Sequence, residues 1–240
     1  MATMTSQTDL KRIAGEEAAK DVRTGSVVGL GTGSTVEWTV KALGRRIVEE
    51  GLDIVGVPTS VRTEALAREL GIPLTTLDEN PRLDVTIDGA DEVDPFFDLV
   101  KGGGGALTRE KVVARASARE VIVVDKSKLV RRLGDAFPLP VEVLPLAVTT
   151  ARMEIETLGA EVRRRMSPGG AHPYVTDNGL AILDCRFPGG IAKKAETERD
   201  INLIPGVLEN GLFLGLCQEV IVGTPEGARR LTRGDRMFPQ

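Results

Sequence analysis

The sequence predicts an α/β fold: a doubly wound, mainly parallel sheet with a smaller inserted α+β lobe. Short apolar strands alternate with helices through the first half of the chain. Strands that are apolar on both faces are typical of parallel sheets covered by helices on both sides. After Phe137 the order becomes β-α-β-β-α-β, which is the ferredoxin-like order. We therefore expect an α/β domain at residues 1–136 and 214–240 and an inserted lobe at residues 137–213.

The elements of the first domain follow from apolar patterns. Apolar residues at helical spacing predict one helix through Leu10 and Ala18 and a second through Val36 and Ile47. Ser60 can cap a third helix, and a fourth follows the glycines at 102–105. The predicted strands are 26–30, 53–57, 72–77, 83–87, 121–124 and, where the chain returns to this domain, 219–223.

The inserted lobe is predicted from the same signals. Its strands are expected at 141–144, 161–165, 180–184 and 207–213, and its helices at 149–158 and 196–203. The basic run Arg163-Arg164-Arg165 is interpreted as a solvated strand or helix end.

Composition and charge disfavour several classes of protein. The chain has 240 residues, a net charge of −4 and a single histidine, His172. Its charge provides no basic field for nucleic acid. One histidine argues against a zinc site or a Ser-His-Asp triad, and the two cysteines, Cys185 and Cys217, lack metal-ligand spacing. Acid–base chemistry therefore falls to carboxylates and lysines.

The sequence also predicts a cytoplasmic protein. No apolar run approaches the roughly 20 residues that span a bilayer. The polar start, Met1–Thr8, lacks the apolar stretch of a secretory signal.

The first motif lies between a strand and a helix and reads Gly31-Thr32-Gly33-Ser34-Thr35. Glycines let the backbone approach a ligand, and helix-start N–H groups and hydroxyls donate to anions. The spacing matches neither the P-loop nor the dinucleotide fingerprint. The segment is therefore either a phosphate- or sugar-binding loop or a tight turn in which Ser34 caps the helix.

The second motif, Asp88-Gly89-Ala90-Asp91-Glu92-Val93-Asp94-Pro95, ends the strand at Ile87. Asp88 and Asp91 can both face a crevice, with small residues leaving space for a ligand between them. The spacing fails the EF-hand pattern, and a divalent-cation site or a solvated acidic turn remain alternatives.

The third motif places four glycines, at 102–105, directly after Lys101. Ordering four glycines is entropically costly, which makes sense where backbone N–H groups wrap an oxygen-rich ligand. The following helix carries Glu110, which taken alone fits an exposed carboxylate paired with Arg109 or Lys111. Lys128 follows a strand end and taken alone fits a solvent-facing lysine.

These segments can meet at one edge of the sheet, because ligands of such sheets bind at the carboxyl ends of the strands. Segments 31–35, 88–94 and 101–111 each follow a predicted strand or an extended segment. We therefore expect one site that combines them.

Together the motifs resemble the type A ribose-5-phosphate isomerase family. The resemblance rests on Gly-Thr-Gly-Ser-Thr, Asp-Gly-Ala-Asp-Glu, Lys-Gly-Gly-Gly and Leu-Thr-Arg-Glu-Lys, in that order. It covers almost the whole chain, through Lys11, Phe137-Pro-Leu-Pro-Val-Glu-Val, Val175-Thr-Asp-Asn-Gly, Ile204-Pro-Gly-Val and Val222-Gly-Thr-Pro. One departure is Gly105, where the family often carries alanine.

The resemblance implies interconversion of ribose 5-phosphate and ribulose 5-phosphate through an enediol(ate), in the pentose phosphate pathway, without metal or organic cofactor. Glu110 matches the proton acceptor, and Asp88, Asp91 and Lys101 match groups for ring opening and for the O1 and O2 protons. The matching substrate-binding residues are Lys11, Thr32, Gly33, Ser34, Thr35, Asp88, Gly89, Ala90, Asp91, Lys101, Gly102, Gly103, Gly104 and Lys128.

The resemblance further implies a fold shared with glucosamine-6-phosphate deaminases and CoA transferases. It favours a homodimer or a dimer of dimers, with a sugar phosphate as ligand and neither nucleic acid nor membrane as partner.

Two other functions are compatible with parts of the sequence. The glycines at 29–33 weakly suggest a nucleotide-dependent oxidoreductase, but the later glycine of the fingerprint is missing. A sugar-phosphate-sensing regulator would need a DNA-binding module, and no helix-turn-helix or basic segment precedes the first strand.

Activity is expected to survive exhaustive chelation with EDTA. Carboxylates and lysines suffice for enolisation, and the sequence has no His/Cys cluster. The conversion of ribose 5-phosphate is measured before and after dialysis against the chelator. A large loss that Mg²⁺ or Zn²⁺ restores would identify the Asp88–Asp94 segment as a metal site.

Overall fold

The computed structural model describes residues 6–238, so Met1–Thr5 of the polar start lie outside it. Two compact units are present. The first comprises the chain up to Ala90, Arg109–Leu129 and the chain from Leu216 onward, and the second comprises Asp91–Thr108 and Val130–Gly215. The second unit thus includes 91–108, which the sequence assigns to the first domain. Among residues 6–238, no helix combines the length and the apolar character needed to cross a membrane.

Helices and strands alternate along the described chain. The α-helices are α1 Gln7–Ala19, α2 Val36–Glu50, α3 Val61–Glu69, α4 Leu107–Ala116, α5 Val148–Thr157 and α6 Lys194–Asn202. The strands are β1 Val27–Leu30, β2 Val55–Pro58, β3 Val85–Asp88, β4 Glu92–Val93, β5 Leu99–Val100, β6 Glu120–Asp125, β7 Leu139–Val143, β8 Glu161–Arg164, β9 Ala181–Arg186, β10 Val207–Asn210, β11 Leu212–Phe213, β12 Cys217–Thr224 and β13 Gly227–Thr232.

The first unit is built on a six-stranded sheet in the order β13-β12-β6-β3-β1-β2. Neighbouring strands pair in parallel except at the edge, where β13 runs antiparallel to β12. Leu30 and Leu43 belong to a core on one face, formed with α1 and α2. Val57 packs with Val113 of α4 in a second cluster. The predicted doubly wound sheet is confirmed.

The strand order of this sheet indicates where a ligand-binding crevice lies. β1 pairs with β2 on one side and with β3 on the other, so the direction of winding reverses between β1 and β3. Crevices at such a reversal, outside the carboxyl ends of the strands, bind ligands in doubly wound folds. The segments that follow Leu30 and Asp88 lie at this edge.

The second unit contains an antiparallel sheet in the order β10-β7-β9-β8. With α5 and α6 between the strands, this is the predicted ferredoxin-like arrangement. Buried residues such as Leu139 and Ile155 form its core. A small sheet of β11, β5 and β4 lies in the same unit.

The predicted strand 72–77 is wrong. The segment makes one bridge, between Leu74 and Gly56. Pro73 has no N–H to donate, and only its carbonyl takes part, accepting from the Gly56 N–H at 2.8 Å. The Thr75 N–H donates to Gly56 O at 2.9 Å, so the segment extends the sheet edge by this one bridge and no further.

Other predicted boundaries also shift. The predicted strand 207–213 is divided at Gly211, whose N–H donates to the Pro140 carbonyl at 2.8 Å. Strand β13 was not predicted, because an edge strand with Arg229 and Arg230 exposed lacks the apolar run of a buried strand. The two-residue strands β4 and β5 are likewise too short to leave a pattern.

Candidate active site

Asp88 joins the two loops at the winding reversal. It ends β3 and is completely buried. Its Oδ1 accepts hydrogen bonds from the N–H of Thr32, at 3.0 Å, and from the N–H of Gly89, at 2.7 Å. One carboxylate oxygen therefore holds the β1–α2 loop against the loop that follows β3.

Gly31 is required for this contact. A Cβ atom at Gly31 would lie 2.3 Å from Asp88 Oδ1 and 2.6 Å from Asp88 Cα. Such distances are far inside van der Waals contact, and the obstacle is partly backbone. The first glycine of the motif thus allows a close approach between two strand ends, whereas the sequence analysis assigned the glycines to the approach of a ligand.

Thr32 is held from its other side by a cluster of hydroxyl groups. Its Oγ1 lies 2.8 Å from the hydroxyls of both Thr59 and Ser60, and 3.3 Å from that of Thr63. The last three residues are buried. The sequence identifies only Ser60, as a helix cap, and that role is confirmed: its hydroxyl accepts from the Thr63 N–H at 3.1 Å.

Lys11 of α1 reaches the same loop. Its Nζ donates to Ser34 Oγ at 3.0 Å. The alternative in which Ser34 caps α2 is wrong, because Thr35 holds the cap position and makes no side-chain cap bond. The hydroxyls at 34 and 35 are therefore not engaged as helix caps.

Glu110 lies in the first turn of α4. This helix precedes β6, so it runs opposite to the parallel strands and begins at the edge where their carboxyl ends lie. The expectation of an exposed carboxylate is wrong: Glu110 is 4% exposed. Burial raises the free energy of a carboxylate unless partners compensate, which is a common property of catalytic acids and bases.

Lys128 closes a short 3₁₀ turn, Lys126–Lys128, that follows β6. Its side chain is half-buried. It thus also follows the carboxyl end of a parallel strand, as the sequence predicts.

In the second unit, Asp91 and Lys101 flank a two-stranded hairpin. Asp91 precedes β4 and donates its N–H to Val100 O at 2.9 Å, while Lys101 follows β5 and is 2% exposed. Lys101 Nζ lies 5.3 Å from the centre of the Phe213 ring. Asp91 Oδ2 accepts the Gly103 N–H at 2.7 Å, so the hairpin brings this carboxylate onto the glycine loop.

Two residues that the sequence analysis missed also contact the glycine loop. Arg165 Nη1 donates to Gly102 O at 2.7 Å, and Tyr174 Oη donates to Gly104 O at 3.1 Å. Arg163 and Arg164 are exposed, as predicted for the whole basic run, but the Arg165 side chain is only 12% exposed. No sequence signal separates the third arginine from its neighbours.

Within residues 6–238, no three or more His, Cys, Asp or Glu residues form a group that could hold a metal ion. Both cysteines are buried, and burial raises the pKa of their thiols far above the usual value. They are small, fully buried core residues.

The chain matches the family model of ribose 5-phosphate isomerase A (phosphoriboisomerase A) over residues 55–227. The chain belongs to the ribose-5-phosphate isomerase A family. It is 48% identical over 221 residues to the ribose-5-phosphate isomerase A of Bacillus mycoides, covering 92% of this chain and 98% of that one.

Solved structures of the family have the same fold. The ribose 5-phosphate isomerase A of Methanocaldococcus jannaschii matches with a TM-score of 0.90 and 43% identity, over 95% of this chain and 100% of that one. A D-ribose-5-phosphate isomerase in complex with phospho-erythronic acid matches with a TM-score of 0.92 and 42% identity, over the same shares.

The residues that match the family's motifs are divided between the two units. The first unit holds Lys11, Thr32, Gly33, Ser34, Thr35, Asp88, Gly89, Ala90, Glu110 and Lys128, and the second holds Asp91, Lys101, Gly102, Gly103 and Gly104. Direct contacts link Lys11 to the first motif, Asp88 to Thr32, and Asp91 to the glycine loop.

The structural role of Asp88 is separable from its charge. Asp88→Ala removes the acceptor of the half-buried Thr32 and Gly89 N–H groups and should destabilise the protein by about 1–3 kcal/mol. Asp88→Asn keeps an acceptor oxygen and should unfold near the wild-type midpoint in urea.

Asp84 is a matched control at the opposite end of β3. It is exposed and accepts one N–H, from Val27 at 2.8 Å, so Asp84→Ala should cost less than Asp88→Ala. Equal destabilisation by Asp88→Asn and Asp88→Ala would mean that the carboxylate charge, not the hydrogen-bond acceptor, stabilises the loops.

Proposed function

We propose that the chain interconverts D-ribose 5-phosphate and D-ribulose 5-phosphate by proton transfer through a cis-enediol(ate), in the non-oxidative pentose phosphate pathway. The proposal is supported chiefly by the burial of Glu110, whose carboxylate is 4% exposed in the first turn of α4. A buried carboxylate held by a helix is well suited to act as a positioned base. Family membership favours this function over an oxidoreductase or a DNA-binding regulator.

The first step is opening of the furanose ring. A base removes the O1 proton, the bond between C1 and the ring oxygen breaks, and an acid protonates the ring oxygen. Asp88, Asp91 and Lys101 are the groups proposed for these transfers and for the later movement of the O2 proton to O1. Asp91 also receives the Gly103 N–H, which restricts the orientation of its carboxylate.

The second step is the transfer of hydrogen from C2 to C1. Glu110 takes the C2 proton, the electrons form the C1–C2 double bond, and negative charge develops on O1. Lys101 and the N–H groups of the glycine loop are proposed to stabilise that charge, since pre-oriented donors in a dry site do so most effectively. Return of the proton to C1 and loss of the O2 proton give the ketose. The balance of this step requires neither oxidant nor reductant.

The ligand of a related structure supports this chemistry. Phospho-erythronic acid, bound in the relative described above, combines a phosphate with a planar, anionic carboxylate. An enediolate of a pentose phosphate presents the same two features. We propose that this chain binds such a species through 32–35, 88–91, 101–104 and Lys128.

The substrate's phosphate should be essential for efficient turnover. Binding energy from a non-reacting phosphate can orient the reacting carbons. Lys11, Lys128 and the two glycine-rich loops are the candidates to hold it; Lys11 lies 3.0 Å from the Ser34 hydroxyl, and Lys128 follows β6. Comparison of kcat/KM for ribose and ribose 5-phosphate tests this, and equal values would refute a phosphate site in these segments.

We further propose a cytoplasmic homodimer or dimer of dimers. A sugar phosphate carries charge that a bilayer excludes, so its isomerase works in the compartment that contains it. In the second unit, Leu146 is 96% exposed and Leu203 is 73% exposed, and an interface between subunits would bury apolar side chains of this size. Sedimentation velocity should give a dimer or larger, and a monomer at micromolar concentration would contradict the proposal.

Glu110→Gln tests the proposed base. Glutamine keeps the size of the side chain but does not accept a proton at neutral pH. A general base contributes about 10²–10⁴-fold to rate, so kcat should fall at least about a hundredfold while KM changes much less. Exchange of the C2 hydrogen with D₂O should fall in parallel, because that exchange reports proton abstraction.

Arg115→Gln is the matched control, since Arg115 is exposed near the other end of α4. It should keep wild-type turnover, and circular dichroism should show that both variants are folded. Near-normal exchange in a folded Glu110→Gln would leave Asp88 or Asp91 as the leading base.

A further inference from the structure

Two side chains of the second unit hold the carbonyl groups of the glycine loop. Arg165 Nη1 donates to Gly102 O at 2.7 Å and to Gly103 O at 3.2 Å. Tyr174 Oη donates to Gly104 O at 3.1 Å. Three consecutive carbonyls of this four-glycine segment are thus each bound by a side chain.

Arg165 is itself held rigidly. Its Nε donates to Asp184 Oδ2 at 3.0 Å and its Nη2 to Asp184 Oδ1 at 2.5 Å, a bidentate pair. Its guanidinium carbon lies 5.8 Å from the centre of the Tyr174 ring. Burial raises the pKa of the Tyr174 hydroxyl, which therefore remains a donor at neutral pH.

The direction of a carbonyl determines the direction of the next N–H. A trans peptide is planar, so its C=O and N–H point in opposite directions. In the peptide between Gly102 and Gly103, the carbonyl points to Arg165 and the N–H donates to Asp91 Oδ2 at 2.7 Å. Arg165 therefore orients the Gly103 N–H, and that N–H in turn orients the Asp91 carboxylate.

Gly105 makes room for the Tyr174 side chain. A Cβ at position 105 would lie 2.2 Å from Tyr174 Oη, and the φ of Gly105 is +79°. A larger residue here would displace the hydroxyl from the Gly104 carbonyl. The glycine and the tyrosine thus form one arrangement.

We propose that Arg165, assisted by Tyr174, is a positioning residue for ring opening. It fixes the Gly102–Gly103 peptide so that its N–H holds the Asp91 carboxylate in the orientation that proton transfer to or from the cyclic substrate requires. This role rests on the proposed function, in which Asp91 takes part in ring opening. The alternative is an ion pair with Asp184 that only stabilises the second unit.

The two alternatives differ in which reaction they affect. Ribulose 5-phosphate carries phosphate on its C5 oxygen, so the ketose does not close to a five-membered ring through that oxygen. Exchange of its C1 hydrogen with D₂O therefore needs the enolisation base but not ring opening. A positioning role in ring opening predicts that the two activities separate.

The test compares Arg165→Met with wild type in both reactions. Turnover of ribose 5-phosphate should fall about a hundredfold, the loss expected for a misplaced catalytic group. Exchange of the ribulose 5-phosphate C1 hydrogen should fall much less, by at most about tenfold, because Glu110 and Lys101 are untouched and only the assisting N–H groups of the glycine loop are loosened. Arg165→Lys, which keeps the charge but not the planar fork, should lose less.

Arg164→Met is the matched control, because Arg164 is the adjacent, exposed arginine, and it should leave both reactions unchanged. Proportional loss of turnover and exchange in Arg165→Met would overturn the proposal in favour of a structural ion pair. Unchanged turnover would also overturn it. If the wild-type protein does not convert ribose 5-phosphate at all, the proposed function fails instead.

Tyr174→Phe keeps the test decisive if Arg165→Met does not fold. It removes one hydroxyl and retains the ring against Arg165. The same separation should appear on a smaller scale, with about a threefold to tenfold loss of ribose 5-phosphate turnover. A folded Tyr174→Phe with equal losses in the two reactions would count against the proposal.

Discussion

The approach of two backbone loops to one buried carboxylate is the constraint on which the site depends. Asp88 Oδ1 receives N–H groups from the loop after β1 and from the loop after β3, at the point where the winding of the sheet reverses. The approach is possible because Gly31 has no Cβ. Around it, the hydroxyl cluster holds Thr32 from the other side. The first unit thus presents backbone N–H groups and hydroxyls at one edge, which suits a phosphorylated sugar.

The same principle organises the glycine loop of the second unit. Four glycines have no side chains with which to order themselves, so their order comes from Asp91, Arg165 and Tyr174. Both units therefore use buried or half-buried polar side chains to aim main-chain donors. With one histidine in the chain, carboxylates are the proposed proton-transfer groups, and among residues 6–238 Glu110 is the buried carboxylate that a helix holds.

The sequence was most informative where a pattern is local. Apolar periodicity predicted α2, the strands of the six-stranded sheet except β13, and the strands of the ferredoxin-like sheet, and the glycine and acidic motifs predicted the segments at the sheet edge. Prediction failed where the position of a residue depends on contacts with residues far away in the sequence. The predicted strand 72–77, which contains Pro73, makes only one bridge to the sheet edge. Glu110 is buried, although a helical carboxylate flanked by charged residues is usually exposed. Arg165 differs from Arg164 only in facing Asp184 and the glycine loop, which no spacing along the chain encodes.

We propose that this fold moves a proton, not a hydride, between neighbouring carbons of a sugar phosphate. The most direct measurement is incubation of the purified protein with ribose 5-phosphate in D₂O, without nicotinamide, and analysis of the product by NMR. Ribulose 5-phosphate with deuterium at C1 is expected, because the proposed base, Glu110, can exchange the abstracted proton with solvent. Absence of ketose, or ketose that keeps the entire original C2 hydrogen at C1, would contradict it.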